Sequence, residues 1–175
     1  MFPQNANFNN SAYKTLENEW ADWDLQRHRI EVSQDWGEGA PPSVVGDGVM
    51  LQQVVVNLMR NAMDAMAEAK GGRCLQVRTQ LMLSGPTPMV EVAISDTGCG
   101  VSEQQEQALF MPFVSTKPNG MGVGLNICRS FVELHQGRLW FQRNAQSGST
   151  FCMSLPLADA SSLAQVPPFS TQEAA

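Results

Sequence analysis

The stretch from Leu51 to Met66, LQQVVVNLMRNAMDAM, constrains this chain more than any other. Leu51, Val54, Val55, Leu58, Ala62, Ala65 and Met66 recur at spacings of three and four, the period of one face of an α-helix. Asn57, Asn61 and Asp64 fall on another side, four and three residues apart, so their polar ends point the same way. A helix that buries one face and carries two carboxamides and a carboxylate in line is costly unless something polar meets them. A hydrated metal ion with its phosphates is the simplest candidate, because Mg2+ takes oxygen ligands and keeps several waters. A solvent-facing polar stripe has the same spacing, so this helix alone leaves both readings open.

The glycine-rich half of the chain decides between them. It contains Asp96-Thr97-Gly98-Cys99-Gly100, then Phe110-Met111-Pro112-Phe113-Val114-Ser115-Thr116-Lys117, then Gly120-Met121-Gly122-Val123-Gly124-Leu125, and finally Gly148-Ser149-Thr150-Phe151. With the Asn61 helix, and in this order, these segments resemble the N, G1, F, G2 and G3 boxes of the ATP-binding catalytic domain of sensor histidine kinases. That domain shares the Bergerat nucleotide fold with DNA gyrase, Hsp90 and MutL. The resemblance covers about residues 29 to 157, and the segments look closest to oxygen- or nitrogen-sensing kinases. A single DxGxG turn occurs in many proteins; five elements in sequence are specific.

Composition agrees with one globular unit. At 175 residues, with 43% hydrophobic and 16% charged residues, the chain suits one well-packed domain and is too short for two generous ones. The net charge of −6 argues against a dedicated nucleic-acid or anionic-membrane surface, so a nucleotide pocket must supply its own positive potential. No run approaches the apolar length needed to span a bilayer, and the N-terminus lacks the pattern of a signal peptide. A cytoplasmic location without direct membrane contact is expected, although a larger parent protein can be anchored through a segment absent here. Cys74, Cys99, Cys128 and Cys152 show no paired CxxC spacing, and with only His28 and His135 beside them a zinc site is not expected. Cys99, between two glycines, is placed to meet alkylating reagents.

Along the chain, residues 1–28 read as a linker or remnant preceding the domain. Ile30, Val32 and Gln34 alternate with Glu31, Ser33 and Asp35, which predicts a short half-buried strand over Arg29 to Trp36. Gly37 to Pro42 breaks it. Asp47 is the expected N-cap of the long helix, which should run to about Lys70 before Gly71-Gly72. Leu75 to Met82 and Met89 to Ser95 predict a hairpin, with Val90, Val92 and Ile94 on one face and Asp96 where the strand runs out. Ser102 caps a short helix to Leu109. Met111 to Met121 is a loop, and the next helix opens near Gly122 and ends about His135, before Gly137. Leu139 to Arg143 and Thr150 to Leu157 form a closing hairpin, and 158–175 is expected to be a disordered tail. The fold class is α/β, a two-layer sandwich in which a mixed, mostly antiparallel sheet is packed on one face by about three helices. Its topology comes from the resemblance.

The resemblance implies a role for each matching residue. Asp96 takes the exocyclic amino group of adenine, which separates adenine from guanine because guanine carries a carbonyl there. Thr97 either holds an ordered water beside the base or simply ends the strand. Gly98 and Gly100 let the backbone turn close to the base. Asn61 ligates the Mg2+ that bridges the phosphates, and Asn57, one turn earlier, reaches a metal-bound water or a phosphate. Asp64 has at most a supporting role, and Arg60 reads as solvated. Lys117 brings a cation to the phosphates. Phe110 and Phe113 are expected to anchor the lid on the core. Gly120, Gly122, Gly124 and Leu125 form the G2 box, where amides and the helix start favour the triphosphate. The lid is Val114 to Gly120, and Thr150 belongs to the G3 region. His135 and Trp140 read as structural.

The implied function is to position Mg-ATP for transfer of the γ-phosphoryl group to a histidine on a dimerisation domain of the same or a cognate kinase. A response regulator is the indirect partner. His28, in Arg27-His28-Arg29-Ile30, lacks the following acidic residue, so the acceptor histidine is missing from this chain, and the isolated domain is expected to be monomeric. Three rivals are weighed against this. A degenerate nucleotide-binding or docking domain is opposed by the intact Asn61, Asp96 and glycine set. A hydrolysing ATPase needs a general base one turn before the metal-binding asparagine, where Asn57 cannot serve. An anti-sigma-type serine kinase matches the Ser-Thr-Lys and Gly-Met-Gly segments less closely.

Overall fold

The structure is a computed structural model that describes residues 5–7, 29–37, 42–67, 69, 71–114 and 122–158. Strands β1 (Asn5–Asn7), β2 (Ile30–Asp35) and β3 (Ser43–Val45) precede helix α1 (Gly48–Met66). Strands β4 (Arg73–Met82) and β5 (Met89–Asp96) follow, then α2 (Glu103–Ala108), α3 (Gly124–Leu134), β6 (Arg138–Arg143) and β7 (Ser149–Pro156).

Helix α1 starts where Asp47 accepts hydrogen bonds from the Val49 and Met50 amides, satisfying two donors that have no intrahelical partner. It ends at Met66, short of Lys70, which lies outside the described residues. The earlier stop has a physical cause in capture of the end carbonyls. The Cys99 amide donates to Ala65 O and the Arg73 guanidinium donates to Ala67 O, 3.1 and 2.8 Å away. Among the described residues α3 completes the helical layer with α1, whereas α2 buries no residue and is tied to β6 by the Arg143–Glu106 ion pair. Ser102 and Gln105 form a reciprocal capping box at the start of α2. Helix α3 stops as Gln136 turns to φ 58° before Gly137.

The main sheet has the order β2-β4-β5-β7-β6, parallel between β2 and β4 and antiparallel elsewhere. Its apolar face meets α1 and α3 in one core. Leu75 and Val77, Val90, Val92 and Ile94, and Phe151, Met153 and Leu155 pack there on Leu51, Val54, Leu58, Met66, Cys128 and Val132. Side chains that alternate along each strand explain why these positions share a face. The half-buried reading of the first predicted strand needs correction. Only Ile30 of β2 is buried, and Val32 is 39% exposed. The strand is an edge in parallel register with β4, whereas α1 covers β4 and β5. A second, two-stranded sheet pairs Asn5–Asn7 with Ser43–Val45, and Val44 bridges to Leu157. Apart from Asn5–Asn7 and Ala158, the segments read as linker and tail lie outside the described residues. No described helix is long and apolar enough to cross a membrane.

Candidate functional site

Asp96 ends β5 on the core side of the sheet and is 2% exposed. Its Oδ1 accepts from the Gly98 amide at 2.7 Å, and the Ser149 amide also donates to the carboxylate. Burial pushes the carboxyl group above its ordinary value, more than these two amides pull it down. A buried carboxylate so placed takes two main-chain donors and keeps acceptor capacity for another.

The loop after Asp96 closes on α1. A Cβ on Gly98 would stand 2.5 Å from the Ala65 carbonyl oxygen, so only glycine permits this approach. Across the sheet end, Gly148 at φ 86° lies against the Asp96 main chain, where a Cβ would overlap the carbonyl oxygen. Gly100, at φ 72°, rests on Gly148. Thr97 donates its hydroxyl to Gly72 O and accepts from the Cys74 amide, both at 2.9 Å, which ties it into the strand end.

The other end of the site is the start of α3. Val123 precedes the helix without a side-chain cap, so its first amides are not satisfied by a capping side chain. Gly124, the first residue, lies against Asn57, and a Cβ there would be 2.8 Å from Asn57 Nδ2. That nitrogen donates to Cys128 Sγ at 3.1 Å. Leu125 packs against the core. Asn61 is half-buried on α1, one turn beyond Asn57 and one turn before Ala65. Helical spacing therefore sets it between the α3 start and the Gly98 loop. Asp64 and Arg60 are exposed.

Ahead of α3, Phe113 and Gly122 are joined main chain to main chain. The Phe113 amide donates to Gly122 O at 2.9 Å, with Phe113 at φ 65° and Gly122 at φ 66°. Phe110 packs against the core with Arg129 over its ring. Phe113 does not; it is 83% exposed, which corrects its reading as a core anchor. Its left-handed backbone turns the side chain out as the chain enters the loop. Ser115, Thr116, Lys117 and Gly120, with most of the segment read as a lid, lie outside the described residues.

Two residues, Ser149 and Asn144, emerge only with strand pairing. Thr150 stands opposite Ser95 and shares a 2.8 Å hydroxyl contact with it, on the sheet face away from Asp96. Its neighbour Ser149 is 2% exposed and lies on the opposite face, where its amide donates to the Asp96 carboxylate. Asn144 holds the far side, donating to Asp96 O at 2.9 Å and accepting from Thr150 Oγ1 at 2.7 Å. Alternation along β7 puts Ser149 on the face that holds Asp96 and Thr150 on the other.

No group of three His, Cys, Asp or Glu side chains gathers among the described residues to hold a metal by protein ligands alone. The Asn57 carboxamide lies instead against the start of α3, which has no side-chain cap.

A sandwich of this topology, with a buried strand-end carboxylate, a glycine-lined loop and paired asparagines on the facing helix, defines a nucleotide-binding domain. Residues 46–159 match the family described as histidine kinase-, DNA gyrase B-, and HSP90-like ATPase, and the chain belongs to that family. It is 46% identical over 120 residues to the sensor protein FixL of Bradyrhizobium diazoefficiens, and 41% identical over 133 residues to the C4-dicarboxylate transport sensor protein DctS of Rhodobacter capsulatus. These matches cover 66% and 75% of this chain, and 22% and 20% of those proteins. The chain thus spans about a fifth of the length of these curated relatives. Among solved structures, the mycobacterial sensor histidine kinase MprB superposes with a TM-score of 0.70 at 25% identity, over 89% of this chain and 97% of that one. The catalytic domain of the histidine kinase ThkA shares the fold with a TM-score of 0.74 at 24% identity, over 89% and 96% of the two chains.

Proposed function

We propose that residues 29–157 form the ATP-binding catalytic domain of a two-component sensor histidine kinase. Asp96 accepts from the adenine amino group, with buried Ser149 on the same sheet face as a second polar contact. Asn61 holds Mg2+, which when bound supplies charge neutralisation between the phosphates. The first amides of α3, Gly122 and Gly124 at its opening, and Gly120 and Lys117 on the loop before it take the phosphate oxygens. Asn57 keeps Asn61 and the α3 start together, with its Oδ1 turned to a phosphate or a metal-bound water.

One observation carries this reading. Helix α1 places Asn61 one turn from each of two contacts, Ala65 with Gly98 and Asn57 with Gly124. The base end and the phosphate end of an extended ligand would therefore meet on the same helix. ShkA, which has the same fold with a TM-score of 0.74, has been captured with AMPPNP, and this supports nucleotide as the ligand class.

The domain's contribution to transfer is placement and charge, with the γ-phosphoryl group left open to in-line attack by an imidazole nitrogen. That imidazole belongs to a dimerisation domain outside this chain, on the cytoplasmic side, and a response regulator receives the phosphoryl group afterwards. Hydrolysis is the weaker reading. The position one turn before Asn61 holds Asn57, whose amide nitrogen is engaged by Cys128 Sγ and which offers no base to a water.

The deciding experiment mixes this protein, radiolabelled ATP, Mg2+ and a cognate dimerisation domain. Acid-labile label on the dimerisation domain, with little phosphate released when it is withheld, supports the kinase. Steady phosphate release without it supports a hydrolase.

A further inference from the structure

His135 stands at the C-terminal end of α3, far along the helix from Gly124, yet it makes a contact that crosses to α1. The Asp47 amide donates to His135 Nε2 at 2.9 Å, and His135 Nδ1 lies 2.6 Å from Phe131 O. An amide can only donate, so Nε2 is the acceptor and the ring proton is on Nδ1, given to Phe131 O. Both nitrogens of a neutral imidazole are thereby used, and both partners are main chain. The ring also lies against Gly46, where a Cβ would come 2.5 Å from His135 Cδ2.

Asp47 is the residue whose side chain starts α1. One residue therefore has its carboxylate in the first turn of α1 and its amide on the last turn of α3. Ten residues further along α1, roughly 15 Å at the helical rise, Asn57 meets Gly124 and Cys128 at the opposite end of α3. The two helices run antiparallel and are joined at both ends of their overlap. With two fixed points, neither helix can slide along the other without breaking one of them.

We propose that His135 is a positioning residue for the phosphate half of the nucleotide site. It fixes the register of α1 on α3, and through it the placement of Asn61 relative to the first amides of α3. The adenine half, built from Asp96 and Ser149 at the strand ends and Gly98 in the loop against Ala65, takes its hydrogen bonds from the sheet and α1 and not from α3, so it does not depend on where α3 sits. This inference rests on the nucleotide-site reading, and it assigns His135 no contact with the ligand.

The test uses the full chain and three variants. H135F keeps a ring of similar size and removes the acceptor. H135N is too short to reach the Asp47 amide, and H135Q presents an Oε1 where Nε2 stood. Each is titrated with Mg-AMPPNP by calorimetry and with adenosine by NMR. H135F should lose about three- to tenfold in Mg-AMPPNP affinity, the scale of one lost hydrogen bond. Adenosine affinity should stay within about twofold of the parent, and H135Q should recover most of the loss. Should H135F not fold, H135N carries the same comparison. Unchanged Mg-AMPPNP binding in the phenylalanine and asparagine variants would overturn the proposal, as would equal losses for both ligands or a glutamine variant as weak as H135F. A parent that binds neither ligand would instead sink the nucleotide reading. The clamp would then be judged by amide exchange at Asn57, Asn61 and the first turn of α3. Exchange about tenfold faster in H135F and near the parent rate in H135Q supports it, and equal rates in all variants overturn it.

Discussion

Gly148 lies so close to Asp96 that a methyl group on it would overlap the Asp96 carbonyl oxygen. The turn between β6 and β7 is thus a wedge that sets the carboxylate's main chain. Asn144, in the same turn, holds that carbonyl by a 2.9 Å hydrogen bond from the other side of the sheet.

Gly148→Ala should destabilise the protein by roughly 2–4 kcal/mol, from a left-handed φ and a clash that only main-chain movement relieves. Urea unfolding measures it. Gly72→Ala, whose added methyl meets nothing within 4 Å, is the control and should differ from the parent far less.

The two sheet faces predict different outcomes for adjacent residues. Ser149→Ala removes a buried hydroxyl on the sheet face that holds Asp96 and should weaken binding of an ATP analogue by about five- to tenfold, with unfolding little changed. Thr150→Ala breaks the contacts to Ser95 and Asn144 and should cost about 1–2 kcal/mol of stability, with a smaller effect on affinity. Calorimetry and urea melts on both variants give the two readouts.

Much of this was legible in the sequence because local rules and tertiary contacts agree. The Asp47 cap, the β4–β5 hairpin, the stop at Gly137 and the position of Asp96 at a strand end all follow from short-range patterns. The features that escaped depend on what lies across the chain. Alternation in Ile30 to Gln34 fits a half-buried strand, but it cannot tell that no helix covers an edge. Period-two reasoning within β7 puts Ser149 and Thr150 on opposite faces, yet only pairing with β5 says which face holds Asp96. Asn57 was readable as a site-facing carboxamide. Its bond to Cys128 joins residues 71 positions apart, and no spacing rule reaches that far. The pairing of Asn5–Asn7 with β3 is similarly non-local.

Burial raises the Asp96 carboxyl above the ordinary 3.8, with the Gly98 and Ser149 amides opposing it. A carboxyl whose folded value is raised binds its proton more readily folded than unfolded. Its contribution to stability is therefore most favourable below the ordinary value and declines as pH rises through the folded value. Asp96→Asn keeps an acceptor for Gly98 and carries no charge. The ligand-free variant should be at least as stable as the parent at neutral pH, and the decline through that acid window should be smaller. Thermal melts across the window check both points.

The thiols should separate by environment. Cys99 is exposed in the loop after Asp96, whereas Cys128 and Cys152 are buried and burial pushes both thiols up, Cys152 to about 11. Brief treatment with iodoacetamide at neutral pH should label Cys99 first and leave Cys128 and Cys152 unmodified until the protein is unfolded. Mg-AMPPNP should slow the Cys99 reaction at least about threefold. Peptide mass spectrometry reads each site.

In the function proposed, Asp96 selects adenine for a Mg-nucleotide held along α1. Calorimetric titration of Mg-AMPPNP into the parent and into Asp96→Asn tests it most directly. Clear one-site binding by the parent is expected, with a loss of about 30- to 100-fold in the variant, the scale of a hydrogen bond to a charged group. A folded parent that binds no analogue, or a variant that binds as tightly as the parent, would contradict it.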